Sequence, residues 1–84
     1  MGCWVYVLQS EIADRYYVGS AEDVDMRLEI HNGSQAGWTR KYQPWKVVHR
    51  EEYATRGEAV KRERQLKRLK GIGRYLTDVR GGRK

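Results

Sequence analysis

The chain has 84 residues, of which 39% are hydrophobic and 33% are charged, a composition typical of a small globular domain rather than a disordered segment. This length predicts one domain, residues 1–84, and the longest apolar stretch, residues 3–8, is far shorter than the roughly 18 residues of a membrane span. One cysteine excludes an internal disulfide and two histidines leave a Cys/His zinc site short of ligands, so we expect a soluble, cytoplasmic protein.

The net charge of +6 is concentrated in the C-terminal third. Residues 1–55 carry 6 basic and 8 acidic side chains, whereas residues 56–84 carry 11 basic and 3 acidic ones. Such a segment favours a polyanionic partner, although a solvated basic helix has the same composition. We therefore expect nucleic acid to be contacted mainly by the C-terminal third.

The first elements predicted along the chain form a β-hairpin. Residues 3–8 and residues 16–18 are β-branched or aromatic, and a polar connection separates them. Ser20 stands three residues before an acid, which predicts an N-cap at Ser20 and a helix that ends at Asn32-Gly33.

The predicted first helix has one face that points to a core. Val24, Leu28 and His31 recur at the spacing of a single helix face. Arg27 lies beside them, so a cation is predicted at the border of the buried side.

Residues 33–44 are predicted to form a loop because they contain two glycines and a proline. The same residues include Trp38, Arg40 and Lys41, and a loop that is both basic and aromatic is suited to touch DNA. The alternation that follows, over residues 45–53, predicts a third strand.

A second helix is predicted from residue 56 to about residue 70. Thr55 and Glu58 form a capping box at its start, and Gly71 suits its end. A last short helix is predicted over residues 74–79.

Glu63 interrupts the apolar stripe of the second helix. Ala59, Val60 and Leu66 define that stripe, and the helical period sends Glu63 into it. Burying a carboxylate without compensation costs free energy, so the acid has to be paired, protonated or bound to metal. A salt bridge to Arg27 would also compensate the Glu63 carboxylate, and so would a side-chain conformation that reaches water.

Two tyrosines lie on the predicted hairpin, Tyr6 in the middle of the first strand and Tyr17 on its partner, shortly before Gly19. Tyrosines on paired strands are common in ordinary sheet packing. Together with the helix residues, however, they resemble the signature of the GIY-YIG nuclease family in order and spacing. The matching segments are Val5-Tyr6-Val7, Tyr17-Val18-Gly19, Arg27-Leu28, His31-Asn32-Gly33 and Glu63 within residues 58–67.

The resemblance covers residues 3–79 and includes two departures. Trp4-Val5 stands where the family has Gly-Ile, a change that strand packing should tolerate while Tyr6 is kept. Ser20 follows Gly19, the closing glycine of the second motif, where the family often has Lys. A phosphate or water contact is therefore missing or is supplied elsewhere.

The resemblance implies an α/β (α+β) fold, with a small three-stranded antiparallel sheet flanked by helices. It implies a metal-dependent endonuclease that hydrolyses DNA phosphodiester bonds, with Glu63 holding a single Mg²⁺ or Mn²⁺ ion. Tyr17 is then the general base on the attacking water, Tyr6 orients water or phosphate, and Arg27 binds the phosphate. His31 either assists Tyr17 or simply packs on its helix.

Contacts to the DNA backbone are predicted for basic and aromatic side chains outside that centre, namely Trp38, Arg40, Lys41, Arg62, Lys67 and Arg74. The run Trp38-Thr39-Arg40 is similar to short stand-alone members of the family and to a nuclease domain that cuts branched DNA, which implies a structure-selective enzyme of DNA repair or processing. Substrate selection is left to the domain itself, to a protein partner or to a dimer.

Two other interpretations stay open from the sequence. One is a nucleic-acid-binding module of the same fold without turnover, and the other is a ribosome-associated basic protein that prefers RNA. The enzyme and the binding module share salt-sensitive binding. They differ at Glu63, which only the enzyme needs for cleavage.

Overall fold

The computed structural model describes residues 2–34, 36–69 and 71–73. Within these ranges the elements are β1 (Cys3–Ser10), β2 (Tyr16–Ala21), α1 (Val24–His31), β3 (Trp45–Tyr53) and α2 (Arg56–Lys67). The predicted three-stranded antiparallel sheet with flanking helices is therefore confirmed. The helix predicted over residues 74–79 lies outside the described residues.

Strand β1 occupies the centre of the sheet, whose order is β2-β1-β3. β2 pairs with β1 as an antiparallel hairpin, with Gly19 opposite Tyr6 and Tyr17 opposite Leu8. β3 runs antiparallel along the other side of β1. Among the described residues, β2 is consequently an edge strand, and the candidate site lies along it.

The alternation of side chains along β1 creates two cores, one on each face of the sheet. Val5 packs with Leu66 of α2 in the first core, and Tyr6 packs with Val24 of α1 and Trp45 of β3 in the second. These five side chains are at most 3% exposed. Burying one of them contributes about 2 kcal/mol, so each helix is held mainly by its own core.

The start of α1 differs from the prediction. Ser20 is not an N-cap; it continues β2 opposite Val5, and its hydroxyl donates to Glu63. Asp23 caps the helix instead, and its carboxylate accepts a hydrogen bond from the Met26 amide at 3.0 Å. The N-cap prediction at Ser20 was wrong because a serine followed by acids suits the end of a strand as well as the start of a helix.

Two other boundaries also differ. Residues 33–44 are not wholly loop, since Trp38–Tyr42 forms a 3₁₀ helix. Helix α2 ends at Lys67, three residues before the predicted end, whereas its predicted capping box between Thr55 and Glu58 is present. None of the helices in the described ranges is long and apolar enough to cross a membrane.

An ionic network joins α2 to β3. The Arg62 guanidinium donates to both carboxylate oxygens of Glu51, at 2.9 and 3.2 Å. His49 Nε2 and the Tyr53 hydroxyl each lie 2.7 Å from the same carboxylate. Burial raises the pKa of Glu51, but the hydrogen bonds from Arg62, His49 and Tyr53 outweigh it and hold the pKa at about 2. This network fixes the rotation of α2 next to Glu63.

We predict that acid weakens the fold through Glu51. Its pKa is about 2 in the folded chain against an ordinary 4.5, so its contribution is complete above pH 4.5 and disappears as the pH falls towards 2. Urea titrations between about pH 5 and pH 2 should show a loss of unfolding free energy that is about 2 kcal/mol larger for the wild type than for Glu51→Gln. Equal losses in the two proteins would show that the network adds no stability.

Candidate active site

Tyr6 crosses the edge strand at Gly19. A Cβ atom placed on Gly19 would lie 2.8 Å from the Tyr6 hydroxyl oxygen and 2.9 Å from ring carbons of Tyr6 and Tyr17. Both phenol rings therefore occupy space that any other side chain would fill. Because β2 is the edge strand, the Tyr6 hydroxyl is carried towards the rim of the sheet.

Tyr6, Tyr17 and His31 form one aromatic cluster on the α1 face of the sheet. The ring centroids of Tyr17 and His31 are 4.3 Å apart, and those of Tyr6 and Tyr17 are 6.2 Å apart. His31 Nε2 lies 3.5 Å from the Tyr6 hydroxyl, and His31 Nδ1 lies 3.3 Å from the Thr39 hydroxyl. These contacts place His31 against both phenols.

Burial and nearby charges determine the protonation of this cluster. Burial raises the pKa of Tyr6 to about 12; Tyr17 adds to the increase, Arg27 opposes it and Glu63 adds a smaller increase. Burial lowers the pKa of His31, and the charge of Arg27 lowers it further. At neutral pH, Tyr6 is therefore a protonated hydroxyl donor and His31 is a neutral imidazole that can accept a proton.

Glu63 reaches β2 from the opposite face of the sheet. Ser20 is paired with Val5, so its side chain lies on the α2 face, where its hydroxyl donates to Glu63 Oε1 at 2.8 Å. Lys67 Nζ lies 2.7 Å from Glu63 Oε2, and the Glu63 side chain is only 18% exposed. Lys67, rather than Arg27, is therefore the salt-bridge partner of this acid.

The Glu63 carboxyl is ionised at neutral pH. Burial raises its pKa, but the hydrogen bonds from Lys67 and Ser20, together with the charges of Lys67 and Arg64, outweigh burial and leave the pKa below its ordinary value. The acid that sequence periodicity sends inward is thus a charged carboxylate.

A single carboxylate beside a hydroxyl suits a divalent ion that keeps most of its water. Groups of three or more His, Cys, Asp or Glu side chains able to hold a metal do not occur among the described residues. Mg²⁺ is usually bound by one or two carboxylates, with water and substrate phosphate oxygens completing its shell. Glu63 next to Ser20 fits that pattern, whereas a zinc site would need more protein ligands.

Arg27 lies at the same rim of the sheet. It lines an open cleft of about 420 Å³ together with Ser20 and Arg56, the first residue of α2. Its charge acts on both Tyr6 and His31, which places it near the phenols as well. Arg56 was not predicted to lie here, because one more cation in a basic segment carries no distinguishing signal in the sequence.

Three of the residues predicted to contact nucleic acid lie together on the 3₁₀ helix. Trp38 lies beside Tyr17, with ring centroids 6.1 Å apart. Arg40 and Lys41 follow it and are exposed. This part of the predicted surface therefore adjoins the aromatic cluster.

The two α2 residues predicted to contact nucleic acid, Arg62 and Lys67, also have partners within the fold. The Arg62 guanidinium is held by Glu51, and the Lys67 ammonium is held by Glu63. Arg74 lies outside the described residues. The structure therefore gathers the predicted site residues around β2 but spreads the predicted DNA contacts over two places.

The family model described as the GIY-YIG catalytic domain matches residues 2–75. The chain belongs to the GIY-YIG family.

Individual proteins are similar to the chain as well. UPF0213 proteins from several Staphylococcus aureus strains are 44% identical to it over 52 residues, which is 61% of this chain and 63% of theirs. The match thus spans less than two thirds of those curated relatives. The solution NMR structure of a UPF0213 protein from Bacillus halodurans has a TM-score of 0.58 and 30% identity, and the match covers 98% of this chain and 88% of that one.

We predict that Gly19→Ala destabilises the chain by about 1–3 kcal/mol, because the added methyl group has to displace the Tyr6 ring. Gly57→Ala is the matched control, since a Cβ atom at this helical glycine meets nothing within 4 Å. The control should leave stability unchanged or raise it by less than about 1 kcal/mol. Urea unfolding of both variants measures the difference, and equal stabilities would contradict the close packing of Tyr6 on Gly19.

We also predict that Lys67→Met raises the pKa of Glu63, because it removes both a hydrogen bond and a positive charge from the carboxylate. Lys61→Met, on an exposed side chain of the same helix, is the control and should leave that pKa unchanged. An NMR titration of the Glu63 carboxyl carbon measures both. A pKa that is the same in all three proteins would contradict the salt bridge.

Proposed function

We propose that the chain is a metal-dependent endonuclease that hydrolyses DNA phosphodiester bonds at the β2 edge, in DNA repair or processing. One observation carries the proposal: the aromatic cluster meets β2 at Gly19, and Glu63 meets it at the next residue, Ser20. Neighbouring residues of a strand face opposite sides, so the two sets of groups approach one rim from both faces. A phosphate at this rim would be within reach of both.

Binding of the phosphate is assigned to Arg27 and Glu63. Arg27 offers a guanidinium that stays charged and donates two parallel hydrogen bonds to phosphate oxygens. Glu63 is the proposed ligand of a divalent ion, Mg²⁺ or Mn²⁺, with the Ser20 hydroxyl orienting the carboxylate. Such an ion supplies positive charge to the phosphate and to the leaving 3′ oxygen.

Activation of the water is assigned to the aromatic cluster. Tyr17 is the proposed general base, and Tyr6, a protonated donor, orients the water or a phosphate oxygen. His31 is neutral and lies against both phenols, so it could accept the hydroxyl proton of Tyr17 while Tyr17 takes the proton from the attacking water. The low pKa of His31 supports this role, because a protonated imidazole could not accept.

A binding module without turnover is the alternative, and one contact favours it. Lys67 neutralises Glu63 at 2.7 Å, an arrangement that accounts for the acid without any metal. Both interpretations include DNA binding, so a cleavage assay has to separate them.

We predict that Glu63→Gln lowers Mg²⁺-dependent cleavage by about 100-fold or more while DNA affinity changes less than about 3-fold, because only the ion site is lost. Glu52→Gln, an exposed acid on the opposite edge strand β3, is the control and should cleave like the wild type. The assay uses labelled duplex, flap, fork and single-stranded DNA with and without Mg²⁺ or Mn²⁺, and includes Tyr17→Phe.

Two results of this assay would contradict the enzyme. If wild-type protein binds all of these substrates but cuts none of them, the chain is a binding module and not an enzyme. Undiminished cleavage by Glu63→Gln would show that Glu63 does not hold the catalytic metal ion.

A further inference from the structure

Trp38 is a large aromatic side chain that the core does not bury. It is 54% exposed, although exposure of an indole ring to water forfeits about 2 kcal/mol of burial free energy. Tyr42 and Trp45 contact it edge to face, each with centroids 6.0 Å away. The ring is therefore held at its border while much of its surface stays open to a ligand.

The support beneath Trp38 is firmly tied to the rest of the fold. The Trp45 indole donates to the Thr39 carbonyl at 2.7 Å, which fixes the 3₁₀ helix to β3. The Gln43 amide donates to the carbonyls of His31 and Gly33 at 2.9 and 2.7 Å, which fixes its far end to α1. A ring on such a support is preorganised, so little conformational entropy is lost when a ligand stacks on it.

The position of Trp38 connects this open ring with the cleavage centre. Its centroid lies 6.1 Å from that of Tyr17, whose ring in turn lies 4.3 Å from His31. Arg40 and Lys41 are exposed on the same 3₁₀ helix, and both can bind phosphates of the same strand. Aromatic rings beside cations are the chemistry by which proteins hold unpaired nucleotides.

We propose that Trp38 is a stacking platform for an unpaired nucleobase next to the scissile phosphate, so that the preferred substrate is DNA with a single-stranded cut site. A base inside a duplex has both faces covered by its neighbours and offers no face to Trp38. This inference rests on the proposed function for the position of the cut, but the binding it describes is independent of cleavage.

The test measures affinity for a labelled single-stranded oligonucleotide and for the matching duplex, by fluorescence anisotropy without divalent ions. Trp38→Leu keeps an apolar side chain without a π-face and should weaken single-strand binding by about 10-fold, with duplex binding changed less than about 2-fold. Trp38→Phe keeps a ring and should stay within about 3-fold of the wild type. Ile12→Ala removes another exposed apolar side chain, outside the aromatic cluster, and should change neither affinity.

Tryptophan fluorescence gives a second measurement on the same samples. A base stacked on Trp38 should quench the emission of the wild type, and Trp38→Leu should lose that quenching. Unfolding curves for each variant separate a lost platform from a lost fold. If Trp38→Leu unfolds, Trp38→Phe should still lose the quenching, because it removes the indole that stacks on the base.

Three results would overturn the platform. They are unchanged single-strand binding by Trp38→Leu, an equal loss on single strand and duplex, and a loss in Trp38→Phe as large as in Trp38→Leu. Failure of the proposed function looks different: DNA is bound with the predicted pattern, but no substrate is cut.

Discussion

The alternation of side chains along a strand is the constraint on which the candidate site depends. Gly19 and Ser20 are neighbours, so one faces the phenols and the other faces Glu63. In a central strand the same alternation would separate the phenols from Glu63, because the neighbouring strands on both sides would lie between them. β2 has β1 on one side only within the described part of the chain, so groups from both faces can reach one ligand at its rim.

The position of the acid is determined by contacts that belong to the fold. Arg62 precedes Glu63 on α2, and its two hydrogen bonds to Glu51 hold the helix against β3. Leu66, which is 1% exposed, packs in the core and fixes the same rotation of α2 about its axis. A charged carboxylate packed against a sheet loses hydration, and here a hydrogen bond from Ser20 and the ion pair with Lys67 offset that cost. Stability and the candidate site are therefore coupled through one helix.

Sequence periodicity predicted much of this arrangement and missed what depends on tertiary partners. The strands, the capping box and the inward turn of Glu63 follow from local pattern, and the structure agrees with them. The role of Ser20 does not, because its partner lies 43 positions away and a serine before acids also suits an N-cap. The ion pair of Arg62 was not predicted for the same reason, since no local signal shows that Glu51 lies opposite it on β3. The 3₁₀ helix accepts a hydrogen bond from the Trp45 indole, which is likewise a contact that local pattern does not show.

The bond between Lys67 and Glu63 has a consequence for the folded state itself. Because a resident ammonium already balances the carboxylate, the chain does not need a divalent cation to keep its shape. A divalent ion at the proposed site would have to compete with that ammonium, so the occupancy of the site would depend on the concentration of the ion. Folding would thereby be independent of metal binding: the domain would stay folded without the ion, whereas the proposed cleavage would require it.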